Sequence, residues 1–281
     1  MRKINRQVVV DKVTDLCVLA NFDIEEDVFN SYKESLSKEN NPLAKEILSQ
    51  IIENAEIAAK KREPLCQDTG AAVFFVKLGR EVHLDFDLDD AINEGVRDGY
   101  QKGYLRNSIV SDPFNRVNTG DNTPAIIHLE LVSGDKLEII FMPKGGGAEN
   151  MSALKMMVPA DGVDGVKQFV LEVVKEAGGK VCPPTILGIG VGGTFDSVAL
   201  LAKKALLREL GSSNRDPFYD TLEKELLSGV NELDIGPMGF GGKTTCLGVF
   251  IETYPCHLAS LPVAVNIQCH SARHKSVVII E

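Results

Sequence analysis

The spacing of apolar side chains divides the chain into a helical opening and a mixed remainder. Between residues 44 and 60, apolar side chains fall at Ala44, Ile47, Leu48, Ile51, Ile52, Ala55, Ala58 and Ala59. That is the three-and-four spacing of a helix with one buried face. Asn40, Asn41 and Pro42 stand just before it as start signals. Residues 8–35 are also expected to be mainly helical. Beyond residue 63 the texture changes. Ala71–Lys77 reads as a buried strand, and Val82–Phe86 alternates. Residues 125–132 set Ile127, Leu129 and Leu131 against His128 and Glu130. Ser133-Gly134-Asp135 then turns the chain into residues 136–142, which predicts a hairpin. Residues 163–177 return to helix spacing, and Asp196–Leu210 forms a second such stretch. Asp216-Pro217 opens a third, with aspartate as cap and proline in the first turn. Strand-like runs follow at 246–252, 262–267 and 276–280.

This order is not a clean alternation of strand and helix. The expected fold class is α/β, with mixed sheets, packed helices and a helical N-terminal region. One domain is expected over residues 1–281, mainly helical over 1–62 and mixed over 63–281. A chain of 281 residues can bury a substantial core. It holds no run of 18 or more apolar residues, so no membrane span is expected. The basic start, Met1 to Gln7, lacks the apolar stretch of a signal peptide. The expected location is cytoplasmic, or an organelle matrix after processing. A net charge of −10 argues against nucleic acid as the main partner.

Three glycine-rich runs invite a ligand. Gly145-Gly146-Gly147 could let a backbone approach an anion, or could be a flexible turn. Gly188-Ile189-Gly190-Val191-Gly192-Gly193 fits the dinucleotide pattern between a strand and a helix, with Glu209 downstream. It supports a rival reading as an NAD-dependent oxidoreductase. Gly236–Thr244 looks like a phosphate loop. Pro237 stands where that loop needs glycine, however, and a strand follows, so a nucleotide triphosphatase is rejected.

The six cysteines are Cys17, Cys66, Cys182, Cys246, Cys256 and Cys269. They form no C-x-x-C pair, and a disulfide scaffold is not expected. Cys17 and Cys246 read as small buried side chains. Cys66, in Pro64-Leu65-Cys66-Gln67-Asp68-Thr69-Gly70, stands beside an amide and a carboxylate. Cys182 precedes two prolines, and Cys269 follows Asn266-Ile267-Gln268. Thiolates are soft ligands, and three of them could converge on one metal centre. The separations of 116 and 87 residues establish nothing by themselves.

Six ordered motifs carry a resemblance: PLCQDTG (64–70), LRNSIV (105–110), KGGGAENMS (144–152), CPPTILGIGVGGT (182–194), GPMGFGGKTT (236–245) and CHLASLPVAVNIQCHSARH (256–274). Together they resemble the alpha subunit of the class I, iron–sulfur-dependent fumarate hydratases, and the similar tartrate dehydratase alpha subunit. The resemblance implies a [4Fe-4S] cluster held by Cys66, Cys182 and Cys269, with one iron not bound by cysteine. Cys256 is the rival for the third place. It further implies Asp68 and His257 as catalytic residues, and Gln67, Arg106 and Gly146 as contacts to a small dicarboxylate. The activity it implies is reversible hydration of fumarate to malate, with dehydration of tartrate to oxaloacetate as the alternative. A non-catalytic iron–sulfur module is a further rival. Single-chain members of the family carry an additional C-terminal domain, which two-chain members carry as a beta subunit. These residues resemble no such part, so a beta subunit is the expected partner, in an α2β2 assembly.

Overall fold

Several helices in this chain begin where a side chain takes over a free backbone N–H. Asn5 accepts from Gln7 N–H at 2.8 Å, Asn41 from Leu43 N–H at 3.0 Å, and Asp216 from Phe218 N–H at 2.9 Å. The computed structural model describes residues 2–280. Its first part holds β1 (Arg2–Lys3), α1 (Arg6–Phe22), α2 (Glu26–Lys38), α3 (Pro42–Lys61), β2 (Ala71–Gly79), β3 (Val82–His83) and α4 (Leu88–Lys102). Then come β4 (Ile126–Val132), β5 (Leu137–Lys144), the short α5 (Gly146–Glu149), β6 (Ala153–Met157) and α6 (Gly162–Ala177). The last part holds β7 (Thr185–Gly192), α7 (Phe195–Ala205), α8 (Pro217–Asn231), β8 (Cys246–Tyr254), β9 (Leu261–Gln268) and β10 (Lys275–Ile279). The α/β class with mixed sheets is as expected. No helix among the described residues is long and apolar enough to cross a membrane.

The chain forms two compact units. The first comprises residues up to 25, 54–146 and from 273 on. Its main sheet has the order β10-β5-β2-β4, with β2 parallel to β4 and antiparallel to β5. The hairpin expected across residues 125–142 therefore does not form, because β2 lies between its two strands. The connection instead wraps the end of β2, where Arg80 and Glu81 N–H groups bond to the Val132 and Gly134 carbonyls at 2.9 Å. The cause is burial. Val73 to Val76 of β2 are buried on both faces, whereas Leu129 and Leu131 of β4 are exposed, as suits an edge strand. The alternating stretch at 82–86 yields only the two-residue β3, paired with β1. The core joins Val9, Val13 and Leu16 of α1 to Phe74, Phe141 and Ile92. Close approach of α1 to α4 depends on Gly95 and Gly99. A Cβ at either would lie 2.6 Å from the Cβ of Val13 or Cys17.

The second unit comprises residues 26–53 and 147–272. Its sheet has the order β6-β9-β7-β8, with β7 parallel to β8 and antiparallel to β9. Leu187, Ile189, Val265 and Ile267 pack with α6 and α8, while Ala264 packs with Val198 and Ala202 of α7. This corrects the dinucleotide reading of residues 188–193. Gly188 and Gly190 lie inside β7 under α7, not in a loop open to a ligand. A Cβ there would sit 2.1 Å from the Ala202 carbonyl oxygen or 2.2 Å from that of Val198. The glycines serve helix–strand contact. Gly190→Ala is expected to destabilise the chain by about 3 kcal/mol or more, since backbone must move; urea unfolding measures it. Helix α7 also stops at Ala205, short of the expected Leu210. Leu207 and Arg208 N–H groups there bond to carbonyls three residues back.

Candidate active site

In the first unit, four connections gather at one end of the main sheet. The run 64–70 enters β2, Gly145 and Gly146 leave β5, residues 103–125 enter β4, and Arg273 precedes β10. The register Ala71↔Lys144 sets the first two side by side. Leu65 fixes the run at its start: its N–H bonds to the Asn21 carbonyl at 2.8 Å, and its carbonyl accepts from Asn54 at 2.9 Å. Cys66 is half-buried, and Asp68 N–H donates to its Sγ at 3.4 Å. Gln67 is exposed, and its Oε1 lies 3.7 Å from the same sulfur.

Asp68 is held at every polar atom. Its Oδ1 accepts from Gly70 N–H at 3.1 Å and its Oδ2 from Gly146 N–H at 2.9 Å. Its carbonyl accepts from Arg273 Nη2 at 2.7 Å. The next residue, Thr69, clamps Arg106 twice. Its Oγ1 accepts from Arg106 N–H at 2.9 Å and donates to the Arg106 carbonyl at 3.0 Å. The Arg106 side chain is exposed and makes no hydrogen bond or ion pair with the described residues. Beneath, the buried Tyr100 hydroxyl donates to the Thr69 and Gly70 carbonyls at 2.8 and 3.0 Å. Desolvation pushes that phenol well above its ordinary range. The buried Asn122 donates to the Gly70 carbonyl at 3.2 Å and accepts from Ser108 N–H at 2.7 Å. Gly70 has φ +73°, and a Cβ there would meet Lys144 backbone at 2.7 Å.

In the second unit, Cys182 precedes β7 and Cys269 follows β9. Those strands are antiparallel with Ile186 opposite Gln268, so both cysteines stand at one end of the sheet. Cys182 adopts the left-handed conformation (φ 52°, ψ 64°) after a tight turn at Gly178–Val181. Its carbonyl is bound by His270, from the backbone N–H at 3.1 Å and at ring Nδ1 at 3.0 Å. The Tyr32 hydroxyl in turn donates to the His270 carbonyl. The glycine-rich run at 236–242 supports the same turn. Met238 N–H bonds to the Pro183 carbonyl at 2.7 Å, and a Cβ at Gly239 would lie 2.6 Å from Gly179 Cα.

Cys256 and His257 lie elsewhere. They occupy the loop between β8 and β9, past Tyr254, which pairs with Gly192 at the other end of β7. The length of β7, Thr185–Gly192, separates them from Cys182 and Cys269, about 25 Å at 3.3 Å per residue. Both are exposed, and His257 Nδ1 accepts from Ala259 N–H at 3.2 Å. The structure thus gathers Cys66, Gln67, Asp68, Arg106 and Gly146 in one unit, and Cys182 with Cys269 in the other. It does not bring Cys256 or His257 to the Cys182 end. Sequence reasoning missed Thr69, Tyr100, Asn122 and Arg273. Thr69 and Arg273 fall within motifs already singled out, but Tyr100 and Asn122 carry no local signal.

A family model described as fumarate hydratase (Fumerase) matches residues 10–278. The chain belongs to the fumarate hydratase family. This is a family of hydro-lyases, as the six motifs implied. Among curated relatives, the chain is similar to the "Putative L(+)-tartrate dehydratase subunit alpha" of Methanocaldococcus jannaschii. The two are 46% identical over 272 residues, covering 94% of this chain and 95% of that protein. It is also similar to the L(+)-tartrate dehydratase subunit alpha of Escherichia coli K12, at 32% identity over 289 residues, covering 99% and 94%. The protein of that name from E. coli UTI89 is 33% identical over 283 residues, covering 97% and 92%.

The thiols of this fumarate hydratase family member differ in what they can bind. Burial pushes the Cys17 thiol up and that of Cys246 up to about 12, so neither is a ready thiolate. Cys256 stands alone at the far end of its sheet. Cys66, Cys182 and Cys269 are each half-buried. Gln268 Oε1, one residue before Cys269, is buried with no hydrogen-bond partner. An acceptor left so is costly, and suits a site that takes up a cation or donor. Among the described residues no three His, Cys, Asp or Glu side chains form a ready cage for a single ion. The donor chemistry fits a thiolate-held cluster.

Proposed function

We propose that the chain is the alpha subunit of an iron–sulfur hydro-lyase that dehydrates a small 2-hydroxy dicarboxylate. L(+)-tartrate, yielding oxaloacetate, is the first substrate. The sequence motifs alone tipped toward fumarate and malate, but the names of the relatives support tartrate better, so fumarate hydration becomes the alternative. The observation that carries the reading is the fixed carboxylate of Asp68, beside Cys66 and a backbone clamp on Arg106.

Cys66, Cys182 and Cys269 would hold the [4Fe-4S] cluster, with one iron not bound by cysteine. When bound, the cluster supplies a Lewis acid for the departing hydroxyl. The other work falls to the chain's own residues. Arg106 presents an unengaged guanidinium fork, the geometry that grips a carboxylate. Gln67 offers an exposed amide to orient the substrate. Asp68 carries the proton to the leaving oxygen. Each of its oxygens keeps a lone pair beyond the backbone bond it accepts, so a proton can bind and leave without freeing the side chain. Gly146 contributes by holding Asp68 Oδ2 through its N–H. His257 stands at the other end of its sheet from Cys182.

A beta subunit completes the site, in an α2β2 assembly; the relatives' designation as subunit alpha supports a separate partner. The deciding experiment compares substrates on the anaerobically loaded complex with its beta subunit. Turnover of L(+)-tartrate should exceed that of malate by roughly 10⁴-fold in kcat/KM, because a site that pairs with a second hydroxyl rejects an analogue lacking it. The reverse order would assign the complex to fumarate and malate. No turnover of either, with the cluster intact, would remove the hydro-lyase reading.

A further inference from the structure

We propose that Glu39 is a positioning residue for Cys182, acting through the glycine-rich run 236–243 as a brace. The inference rests on the reading above only in taking Cys182 as a ligand of the cluster. It gives a role to a buried carboxylate and to the run whose sequence looks like a phosphate loop.

Glu39 follows the last turn of α2 and is only 2% exposed. A carboxylate is costly at such a place unless its oxygens are bonded. Its Oε1 accepts from the Asn40 and Asn41 N–H groups at 2.8 and 3.0 Å, at the corner that leads into α3. Its Oε2 accepts from the Lys243 N–H at 2.7 Å. Burial alone would push the carboxyl up, but the N–H groups of Asn41, Asn40 and Lys243 outweigh it and hold it below its ordinary value. The bonds are therefore made to an ion, and are stronger than neutral ones. Lys243 is held a second time, where its Nζ donates to the Lys38 carbonyl at 3.0 Å. The end of α2 thus grips one end of the glycine-rich run.

The run carries that grip to Cys182 because it is closed on itself. Gly242 N–H donates to Asp234 Oδ1 at 3.0 Å, and Gly241 N–H to the Ile235 carbonyl at 2.8 Å. Gly242 has φ +122°, and a Cβ there would lie 2.8 Å from Glu39 Oε2. A side chain at 242 would displace the carboxylate from Lys243. Toward the other end of the run, Met238 N–H holds the Pro183 carbonyl, and Gly239 packs on Gly179. Met238 and Cys182 both have left-handed backbone, at φ 54° and 52°. Residues other than glycine persist in that region only where their surroundings over-determine them. The brace supplies that constraint, and with it the direction of the Cys182 side chain. Tyr32, also on α2, donates to the His270 carbonyl, and His270 binds the Cys182 carbonyl. Helix α2 therefore backs the Cys182 turn through two routes.

Alkylation of the reduced full chain before iron loading tests this, read cysteine by cysteine by mass spectrometry. Glu39→Gln keeps an oxygen for the Asn40 and Asn41 N–H groups but turns an NH₂ group toward the Lys243 N–H. Cys182 should then react with iodoacetamide about tenfold faster or more, because its turn opens locally. The buried Cys17 and Cys246 report general unfolding and should keep their parental rates. After anaerobic loading, iron should be lost to a chelator about 10–100-fold faster, the usual effect of removing a partner behind a metal ligand. Glu39→Asp gives a second test, since it keeps the charge but falls one methylene short of Lys243. A Cys182 rate, or a rate of iron loss, within about twofold of the parent in both variants overturns the proposal. So does a rise of Cys17 and Cys246 together with Cys182 in both, since Glu39 would then hold the fold and not the ligand. A parent chain that takes up no iron removes the cluster reading, while selective loosening of Cys182 would still support the brace.

Discussion

Cys269→Ser is expected to strip iron from the chain, and Cys256→Ser to leave it in place. Anaerobic reconstitution of the parent should give about four irons per chain, as for a single [4Fe-4S] cluster. The Cys269 variant should fall below about one, with loss of the visible charge-transfer absorbance. The argument rests on strand register. Ile186 of β7 faces Gln268 of β9, so Cys182 and Cys269 must share an end of the sheet. His270 bonds fix that neighbourhood from the Cys269 side. Cys256 would have to travel the length of β7 to replace Cys269, and a sheet in register does not allow it. Cys182→Ser and Cys66→Ser should behave like Cys269→Ser, since a serine hydroxyl is a hard donor and a poor substitute for thiolate. Iron retained in Cys269→Ser but lost in Cys256→Ser would move the third ligand and contradict the register.

What the sequence showed and what it hid follow from the range of each interaction. Helix starts at Pro42 and Pro217 were legible because a cap acts over two or three residues. The hairpin failed for the opposite reason. Ser133-Gly134-Asp135 is a sound turn signal, but strand order depends on which strand can be buried on both faces, and that is β2. Helix α4 went unrecognised because Gly95 and Gly99 interrupt its apolar stripe, although those glycines are what let α1 pack against it. The same ambiguity produced the false dinucleotide motif, since glycines two apart serve a strand under a helix as well as a phosphate. At the site, Cys66, Asp68 and Arg106 were readable from motifs. Tyr100 and Asn122 were not, because they act on backbone carbonyls 30 and 52 residues away.

Asp68→Asn should retain the cluster and lose about three orders of magnitude in kcat, within the range for a positioned proton donor. The substitution keeps the shape of the side chain but replaces one oxygen by an NH₂ group. Gly70 and Gly146 N–H groups both donate to the carboxylate, so one must then face another donor. That mismatch should cost about 1–3 kcal/mol of stability, read as a lower thermal midpoint. Stability loss alone could mimic a catalytic role, so a second variant is needed. Thr69→Ala removes both bonds to the Arg106 backbone without touching the carboxylate. It should raise KM more than it lowers kcat, because it loosens the carboxylate-binding arm and leaves the proton carrier in place. Asp68→Asn should show the opposite split. Near-normal kcat in Asp68→Asn, within about threefold, would reduce Asp68 to a cap for the Gly146 turn. The proton would then have to come from another group.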